Sequence, residues 1–454
     1  MIALSETVYQ EKVMEVEPFG VEKIPKEERH GQPKQMFTLW FATNLNVVTW
    51  FTGFLGIEFG LSLKYAILAI IIGNVTGAAF LAMTSAMGPS LGQPIIPGSR
   101  RVFGKKGVAG LSIFNLMNNT GWLAVNLVLA VMALRMILPL GYHAALIILT
   151  LASLLIAIYG YNFIHTFTHW MSIIVGCLFL MVTVVALKNL PAVIAVNGHA
   201  AGGFNWGVFI LAVAATFSYQ ISYTPIGADY SRYLPENTSK FKVWRFTYLG
   251  MLAVTIWLEI LGALTASLGT QTGPMEFFAT LMGVFTIPAL LTIILSIFPI
   301  NAVSMYSGGL AMQAMGIPIK RWLAAVVIGG TAMLLVSFGT GKLADTYSNF
   351  LLLLSYWVAP WLGVVLCDFF YHQQKPALER CSHGWVGILS FICGVVISIP
   401  FMNSVLYVGP LAKNLGGADI SYFLSMIVSG MIYLGILKMK NAAVSVKVPA
   451  HAEK

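Results

Sequence analysis

The sequence has very little charge. Asp, Glu, Lys and Arg make up only 9% of its 454 residues, whereas a typical soluble domain has about 25%. Hydrophobic residues instead reach 58%, and the mean hydropathy is +0.81. This composition excludes an ordinary soluble globular protein and indicates a chain embedded in a lipid bilayer.

Cysteines and catalytic motifs are also scarce. The sequence has four cysteines, Cys177, Cys367, Cys381 and Cys393. They show neither even spacing nor metal-ligand spacing, so we predict free thiols. His165 and His169 are four residues apart, but no third ligand is nearby in sequence, and we interpret them as interface histidines rather than a metal site. The sequence also lacks an H-E-x-x-H motif and a glycine-rich phosphate loop ending in Lys, which argues against an enzyme and against a bound cofactor.

Long apolar runs are present instead. A transmembrane helix needs about 20 mainly apolar residues, and windows of this kind recur between short polar breaks. Twelve can be counted, centred near Val47, Ala78, Val125, Leu149, Leu178, Val213, Thr255, Leu291, Val327, Leu354, Ile392 and Ile427. The sequence therefore predicts an all-α integral membrane protein with twelve transmembrane helices.

The positive charges predict the orientation of these spans, because cytoplasmic loops are enriched in Lys and Arg. If the N-terminus is inside, only five of the 26 basic residues fall on the outer side, namely Lys64, Arg135, Lys188, Lys342 and Lys413. Both termini are therefore predicted to be cytoplasmic. Since the charges follow the topology and form no single patch, the isoelectric point of about 9.3 does not indicate nucleic-acid binding.

The charged ends of the chain suggest its domain organisation. Residues 1–35 mix acidic and basic side chains and lack the basic-then-apolar layout of a signal peptide, so we predict a cytoplasmic N-terminal tail. A twelve-helix domain is predicted over residues 36–437, and a cytoplasmic C-terminal tail over residues 438–454.

Two spans carry signals for a break. In the first, Gly53 and Gly56 follow the polar run at residues 43–46, and in the sixth Pro225 removes a backbone donor. Broken helices in corresponding positions of two halves point to the binding site of a secondary transporter. We therefore predict a five-plus-five inverted repeat followed by two extra helices, with bounds of about 36–187, 207–370 and 384–437. The alternative is that glycine and proline are simply commoner in transmembrane helices.

Uncharged polar and aromatic residues inside the spans mark a candidate pocket. Trp122 and Asn126 lie one turn apart on the third span, where a ring can stack on a planar ligand and an amide can bind its edge. The alternative is a Trp packed between helices, with the Asn in an interhelical hydrogen bond. The other spans add Asn46, Tyr219, Gln220, Ser222, Tyr223 and Asn301. Such a pocket favours a neutral, flat, polar ligand over an amino acid or a phosphate.

Several segments, taken in order, resemble one transporter family. They are residues 16–25 (VEPFGVEKIP), residues 121–122 (GW), residues 228–237 (ADYSRYLPEN) and residues 355–360 (SYWVAP). Over nearly its whole length the chain resembles the nucleobase-cation-symport-1 family, in particular the fungal-type purine-cytosine permeases and their bacterial relatives. The resemblance implies a leucine-transporter-like fold with broken first and sixth helices, and import of a nucleobase or related heterocycle together with a cation.

The resemblance also implies roles for individual residues. Trp122 matches the stacking Trp of the third helix, Asn126 the polar residue one turn later, and Asn301 the eighth-helix Asn that holds the substrate. The sixth-helix contact falls at Tyr219, Gln220, Ser222 or Tyr223. Asn46 and Val47 lie on the first-helix segment that lines the pocket.

The coupling ion is where the chain departs from sodium-coupled members of this family. In those members the two positions before the eighth-helix Asn are hydroxyl residues that bind Na⁺, whereas here they are Pro299 and Ile300, and hard cations need oxygen ligands. We therefore expect proton coupling, with Glu259 and Glu58 as the candidate carboxyls. Backbone carbonyls of a broken helix offer Na⁺ an alternative site.

These observations predict a symporter in the plasma membrane, which is the inner membrane of a bacterium, that imports cytosine, purines or both with a proton. Its partners are the substrate, the cation and the bilayer. The alternatives are a Na⁺-coupled carrier of this family for a hydantoin, allantoin, a nucleoside or a pyrimidine vitamin precursor, and an amino-acid carrier of the same fold. A channel is disfavoured, because broken helices around a neutral pocket favour alternating access.

Overall fold

The computed structural model describes residues 19–159, 161–188, 191, 204–267, 279, 281–338, 343–371, 384–404 and 406–445. These residues are almost entirely helical, with one isolated antiparallel bridge between Asn403 and Val408. In chain order the α-helices are α1 (Lys34–Asn44), α2 (Val47–Glu58), α3 (Leu63–Leu91), α4 (Ile95–Gly98), α5 (Arg100–Ile137), α6 (Tyr142–Tyr159), α7 (Tyr161–Lys188), α8 (Trp206–Ile221), α9 (Gly227–Ser231), α10 (Lys240–Ala266), α11 (Thr286–Ala314), α12 (Arg321–Phe338), α13 (Leu343–Leu366), α14 (Gly384–Ser398), α15 (Pro410–Asn414) and α16 (Ser421–Ser445).

The helices have the length and composition of membrane spans. Within the described ranges, nine helical segments are long and apolar enough to cross a bilayer, and α2, α6 and α12 are shorter apolar helices. Large apolar side chains such as Met117 and Leu155 are more than 60% exposed on these helices, as expected for a surface that contacts lipid. Every predicted span centre lies within a helix. The predicted all-α membrane class is confirmed, while the count of twelve spans stays a prediction.

Two groups of helices form the body of the protein. In the first group, α1, α2, α3, α8 and α10 pack against one another, and in the second group α5, α6, α11 and α12 do so. Helices α13, α14 and α16 form a further packed set, in which α13 contacts both α8 and α5. Two interruptions of helices in the first group lie against helices of the second group.

The first break lies in the polar run and not at the glycines. Helix α1 ends at Asn44 and α2 begins at Val47. Asn46 caps α2, because its side-chain oxygen accepts hydrogen bonds from the backbone N–H groups of Val48 and Thr49 at 2.9 and 3.0 Å, which would otherwise be unsatisfied. The chain breaks where a polar side chain can supply these bonds.

The second break lies close to Pro225, as the sequence predicts. Helix α8 ends at Ile221, a single 3₁₀ turn covers Thr224–Ile226, and α9 begins at Gly227. Asn118 of α5 donates a hydrogen bond from Nδ2 to the carbonyl of Ser222 at 2.9 Å. A side chain from another helix thus satisfies a carbonyl that the interrupted helix leaves free.

Gly53 and Gly262 allow α2 and α10 to approach each other closely. A Cβ on Gly53 would overlap the carbonyl oxygen of Glu259, and a Cβ on Gly262 would overlap that of Trp50. Small residues at membrane helix interfaces permit this kind of backbone contact. The glycine of the first span therefore has a packing function, which explains why it lies inside a continuous helix.

Residues 19–33 of the predicted N-terminal tail pack against the ends of α3 and α9. The backbone N–H of Ile24 donates to the carbonyl of Gly92 at 2.8 Å. The buried guanidinium of Arg29 donates to the carbonyls of Ile24 and Pro89 at 3.1 and 2.9 Å. The part of the tail that the structure describes is therefore fastened to the helical body.

Arg232, directly after α9, makes a second attachment of this segment. Its side chain is fully buried and donates to the carbonyl of Gly20 at 2.6 Å and to the hydroxyl of Tyr306 at 3.1 Å. Nearby, Lys26 and Glu236 form an exposed ion pair at 2.7 Å, and the Lys26 ammonium lowers the pKa of the Glu236 carboxyl. Buried hydrogen bonds and a surface pair together hold residues 19–33 in place.

The close contact of α2 and α10 predicts a specific glycine requirement. Gly262→Ala should force the two helices apart and destabilise the protein by ~1–3 kcal/mol, the usual cost of overpacking. Gly330→Ala is the control, since a Cβ there meets open space and removing a helical glycine is neutral or stabilising. Thermal unfolding of the purified variants in detergent measures the difference. Equal melting temperatures would contradict this account of Gly262.

Candidate functional site

An aromatic cluster lies between the two helix breaks, with Trp122 of α5 at its centre. The ring of Tyr223 is nearly parallel to the indole, with an angle of 17° and a centroid distance of 5.6 Å. Tyr219, Tyr347 and Phe350 meet the indole edge-on at 5.3, 6.2 and 5.3 Å. Helices α5, α8 and α13 and the second break therefore converge on one indole.

Tyrosine hydroxyls connect this cluster to the first break. Tyr219 donates to the side-chain oxygen of Asn44 at 2.8 Å and shares a hydrogen bond with the hydroxyl of Thr49 at 2.6 Å. The hydroxyl of Tyr347 lies 2.6 Å from that of Thr52. The positions of the cluster rings thus depend on how α1 and α2 are separated.

Two asparagines flank Trp122 on the same face of α5. Asn118 and Asn126 lie one turn before and one turn after it, and all three side chains are at most 3% exposed. Asn126 donates from Nδ2 to the carbonyl of Trp122 at 2.9 Å. The side-chain oxygens of both asparagines and Nε1 of Trp122 make no hydrogen bond within the described part of the chain. Unpaired buried polar atoms cost ~1–3 kcal/mol each, so this face is suited to a polar ligand.

Asn301 of α11 has the same pattern. It is fully buried, it donates from Nδ2 to the hydroxyl of Ser153 on α6 at 3.0 Å, and its oxygen is unpaired within the described ranges. Helix α11 packs along α5, where the position of a Cβ on Gly308 would be 3.4 Å from Cβ of Asn119. Asn301 therefore belongs to the helix pair that carries Trp122.

The structure separates the other predicted residues from this group. Gln220 points towards α3 and α10, where its Nε2 donates to Oδ1 of Asn74 and to the hydroxyl of Thr255. The hydroxyl of Ser222 donates to the carbonyl of Tyr219 at 2.7 Å. Of the four sixth-helix candidates, Tyr219 and Tyr223 are therefore the two whose rings contact Trp122.

The predicted first-helix contacts have local structural functions. The side chain of Asn46 is occupied in capping α2, and its Nδ2 donates to the carbonyl of Thr43 at 2.7 Å. The backbone N–H of Val47 donates to the hydroxyl of Ser296 on α11 at 3.2 Å. These residues place the first break against α11, and a direct contact with substrate stays a prediction for both.

Several residues of the cluster were not predicted from the sequence. Asn118 could have been found, because it lies four residues before Trp122 and shares its helix face. Tyr347, Phe350 and Ser153 gave no comparable signal, since their helices contact the site only through packing between distant parts of the chain.

The two candidate carboxyls have different surroundings. Glu58 is exposed at the end of α2. Glu259 is fully buried in α10, and its Oε2 accepts a hydrogen bond from Nδ2 of Asn74 at 2.7 Å. Its Oε1 makes no hydrogen bond to any residue that the structure describes. Asn74 also contacts Gln220, so a buried polar chain runs from α10 through α3 to α8.

The expectation that the chain has no G-x-S-x-G motif is wrong, because residues 88–92 have this pattern, but the pattern has no catalytic geometry. A nucleophile elbow requires a sharp turn from a strand into a helix. Here the pattern is the end of α3, and Gly92 closes the helix with a φ of +63°. The pattern therefore marks a helix end.

An apolar groove of about 800 Å³ lies on the other side of Phe350, between α5, α12, α13 and α14. Met117 and Leu335 line it and are more than half exposed. Its polar lining residues are Thr120, Thr331 and Tyr356. Without amide groups it does not suit a polar heterocycle, so the Trp122 cluster is the better candidate site.

Apolar spans with two interrupted helices facing a buried aromatic and amide cluster define a secondary transporter. Residues 23–425 match the family described as "Permease for cytosine/purines, uracil, thiamine, allantoin". The chain belongs to this family of membrane permeases. The predicted family and transporter class are confirmed, and the protein is a permease, not an enzyme.

Known relatives and structures agree with this assignment. The chain is 30% identical to YxlA of Bacillus subtilis, with 94% of this chain and 96% of YxlA aligned. It is 24% identical to the purine-cytosine permease fcyB of Emericella nidulans, over 93% and 88% of the two chains. The structure of Mhp1, a nucleobase-cation-symport-1 family transporter in a closed conformation with bromovinylhydantoin bound, superposes with a TM-score of 0.75 at 16% identity, covering 94% of this chain and 96% of Mhp1. This likeness shows a shared fold.

The link between Tyr219 and the first break predicts a structural cost. Tyr219→Phe should destabilise the protein by ~1–3 kcal/mol, because it leaves the buried oxygen of Asn44 without its donor. Tyr248→Phe is the control, since among the described residues that half-buried hydroxyl makes a single, long hydrogen bond of 3.4 Å. Thermal unfolding of both variants in detergent gives the comparison. A Tyr219→Phe protein as stable as the control would show that this hydroxyl does not hold the break.

Proposed function

We propose that this permease imports a nucleobase, cytosine or purines or both, across the plasma membrane together with a proton. The observation that carries the proposal is the buried Trp122 indole, which contacts aromatic rings and is flanked by amides whose oxygens have no hydrogen-bond partner among the described residues. Stacking of a base on an aromatic ring contributes ~1–3 kcal/mol, and amides suit the donor and acceptor edge of a base. The relationship to the purine-cytosine permease fcyB supports the same substrate class.

In the proposed transport cycle, the base binds between the two helix breaks near the middle of the membrane. It stacks on Trp122, Asn126 and Asn301 hold its edge, and Tyr219 and Tyr223 close the pocket from the sixth helix. The two helix groups then rock against each other and open the site to the cytoplasm, as expected for carriers with broken helices. The distribution of Lys and Arg supports cytoplasmic N- and C-termini.

Glu259 is the residue we propose to carry the coupling proton. Burying an ionised carboxylate without a cation is far more costly than burying a neutral acid, and Glu259 forms no ion pair with the residues that the structure describes. Pro299 and Ile300 lie inside α11 and are buried, and neither offers a side-chain oxygen to Na⁺. Both features favour a proton over Na⁺.

Removal of the stacking ring tests the substrate site. Trp122→Ala should reduce uptake of labelled cytosine or adenine at least ~10-fold, because the stacking energy of the base on the indole is lost. Expression of the variant should be retained. Trp170→Ala is the matched control, since Trp170 is 62% exposed on α7 and should transport normally. Uptake by Trp122→Ala equal to that of the control would remove Trp122 from the site.

Imposed ion gradients test the coupling. Proteoliposomes should accumulate labelled cytosine under a pH gradient alone, whereas a Na⁺ gradient alone should have no effect. Glu259→Gln should abolish accumulation driven by the pH gradient but retain counterflow of the base, because the substrate site is unchanged, and Glu58→Gln should behave like the wild type. Accumulation driven by Na⁺ would disprove proton coupling, and no uptake of any cytosine or purine under either gradient would point to another heterocycle.

A further inference from the structure

We propose that the asparagines of the site turn their side-chain oxygens towards the ligand, that Ser153 fixes this orientation at Asn301, and that the permease therefore prefers bases that carry an exocyclic amino group. This inference rests on the proposed function, because it specifies which nucleobases the Trp122 site prefers. The predicted preference is for amino-substituted bases such as adenine and cytosine over their oxo counterparts.

The orientation of an asparagine amide is set by its neighbours. The group has an NH₂ donor on one side and an oxygen acceptor on the other, and rotation by half a turn exchanges them. A neighbour that can only accept hydrogen bonds holds the NH₂ group towards itself. The oxygen then points in the opposite direction, where it is available to a ligand.

Backbone carbonyls impose this orientation on two asparagines of α5. The Nδ2 of Asn118 is 2.9 Å from the carbonyl of Ser222, and the Nδ2 of Asn126 is 2.9 Å from the carbonyl of Trp122. A carbonyl can only accept, so neither amide can rotate without losing its bond. Both side-chain oxygens are buried and unpaired within the described ranges.

At Asn301 the same result depends on one hydroxyl. Its Nδ2 is 3.0 Å from Oγ of Ser153, and a hydroxyl can either donate or accept. The hydroxyl proton of Ser153 is directed to the carbonyl of Leu149, one turn earlier on α6, at 2.9 Å. Ser153 must therefore accept from Asn301, whose oxygen has no partner in the part of the chain that the structure describes. Ser153 is a positioning residue that acts through Asn301.

The three asparagines lie on two helices that pack together, α5 and α11. Asn118 and Asn126 share the helix face of Trp122. Asn301 lies two turns from Gly308, which packs on Asn119, and Asn126 lies two turns from Asn119. The inverted repeat predicts that the third and eighth spans run antiparallel. Two turns back from Gly308 and two turns on from Asn119 then reach the same level along the helix pair, which places Asn301 beside Asn126. Nε1 of Trp122, which makes no hydrogen bond within the described ranges, adds a donor for a ring acceptor of the base.

These acceptors discriminate between bases that are otherwise similar in shape. Adenine and cytosine carry an exocyclic amino group that donates, whereas hypoxanthine and uracil carry a carbonyl that accepts at the corresponding position. An exocyclic amino group can donate to an asparagine oxygen that faces it, while a carbonyl in the same position would meet that oxygen without a hydrogen. Correct pairing of a base edge is worth a discrimination of about 10-fold or more.

The test compares inhibition of labelled cytosine or adenine uptake in proteoliposomes by unlabelled cytosine, uracil, adenine and hypoxanthine. For the wild type, each amino base should inhibit at a concentration at least ~10-fold lower than its oxo counterpart. Ser153→Ala frees the Asn301 amide to rotate. The oxo bases should then inhibit at lower concentrations than in the wild type, and the ratio of inhibitory concentrations of the oxo base to the amino base should fall towards one. Ser153→Thr keeps the accepting hydroxyl and should restore the ratio. Thr150→Ala is the control, since this buried hydroxyl of α6 bonds only to the carbonyl of Leu146 in the described structure.

Each outcome has a distinct meaning. Equal inhibition of the wild type by amino and oxo bases would overturn the proposed preference for amino bases but not the proposed transport of nucleobases. This measurement uses the wild type and does not depend on the folding of a variant. An unchanged ratio in Ser153→Ala would overturn the role of Ser153. The absence of inhibition by any of the four bases would instead count against the proposed function itself.

Discussion

The constraint on which this structure depends is that the bilayer offers no water to backbone groups, so each interrupted helix must find its hydrogen bonds inside the protein. At the first break the side-chain oxygen of Asn46 accepts hydrogen bonds from two backbone N–H groups at the start of α2. At the second break Asn118 supplies a donor to the carbonyl of Ser222. These asparagines satisfy backbone groups that the interrupted helices leave free inside the helical body.

The same requirement builds the candidate site. Tyr219 bridges α8 to Asn44 and Thr49 at the first break, and its ring also contacts Trp122. Asn118 holds the second break and shares the helix face of Trp122. Since Tyr219 and Asn118 each contact a break and also lie beside the indole, a movement of either helix group changes the shape of the site. This is the coupling between substrate and conformation that alternating access needs.

The sequence predicted the class, the family and the break near Pro225, and it named Trp122 as a candidate site residue, because these depend on local composition and on spacing along one helix. It did not predict the direction of individual side chains. Gln220 and Tyr219 are adjacent polar residues of α8, yet one faces Asn74 and the other Trp122, and only the rotation of α8 against α3 decides this. Asn46 looks like a ligand contact in sequence, since asparagine is suited both to capping a helix and to binding a base. Ser153 could not be found, because it meets Asn301 across 148 residues of sequence.

The arrangement around Glu259 gives a physical reason why substrate and proton could be linked. Asn74 is fixed by donating to the carbonyl of Ile70 at 2.9 Å, so its NH₂ group also serves Glu259 and its oxygen must serve Gln220. Gln220 precedes the break and follows Tyr219, whose ring contacts Trp122. A change in the charge of Glu259 alters how strongly its carboxyl group attracts Asn74. Asn74 in turn accepts a hydrogen bond from Gln220 of α8, the helix that ends at the second break. Na⁺ held by backbone carbonyls of the first broken helix would act on that break instead, so the two coupling ions would act on different broken helices.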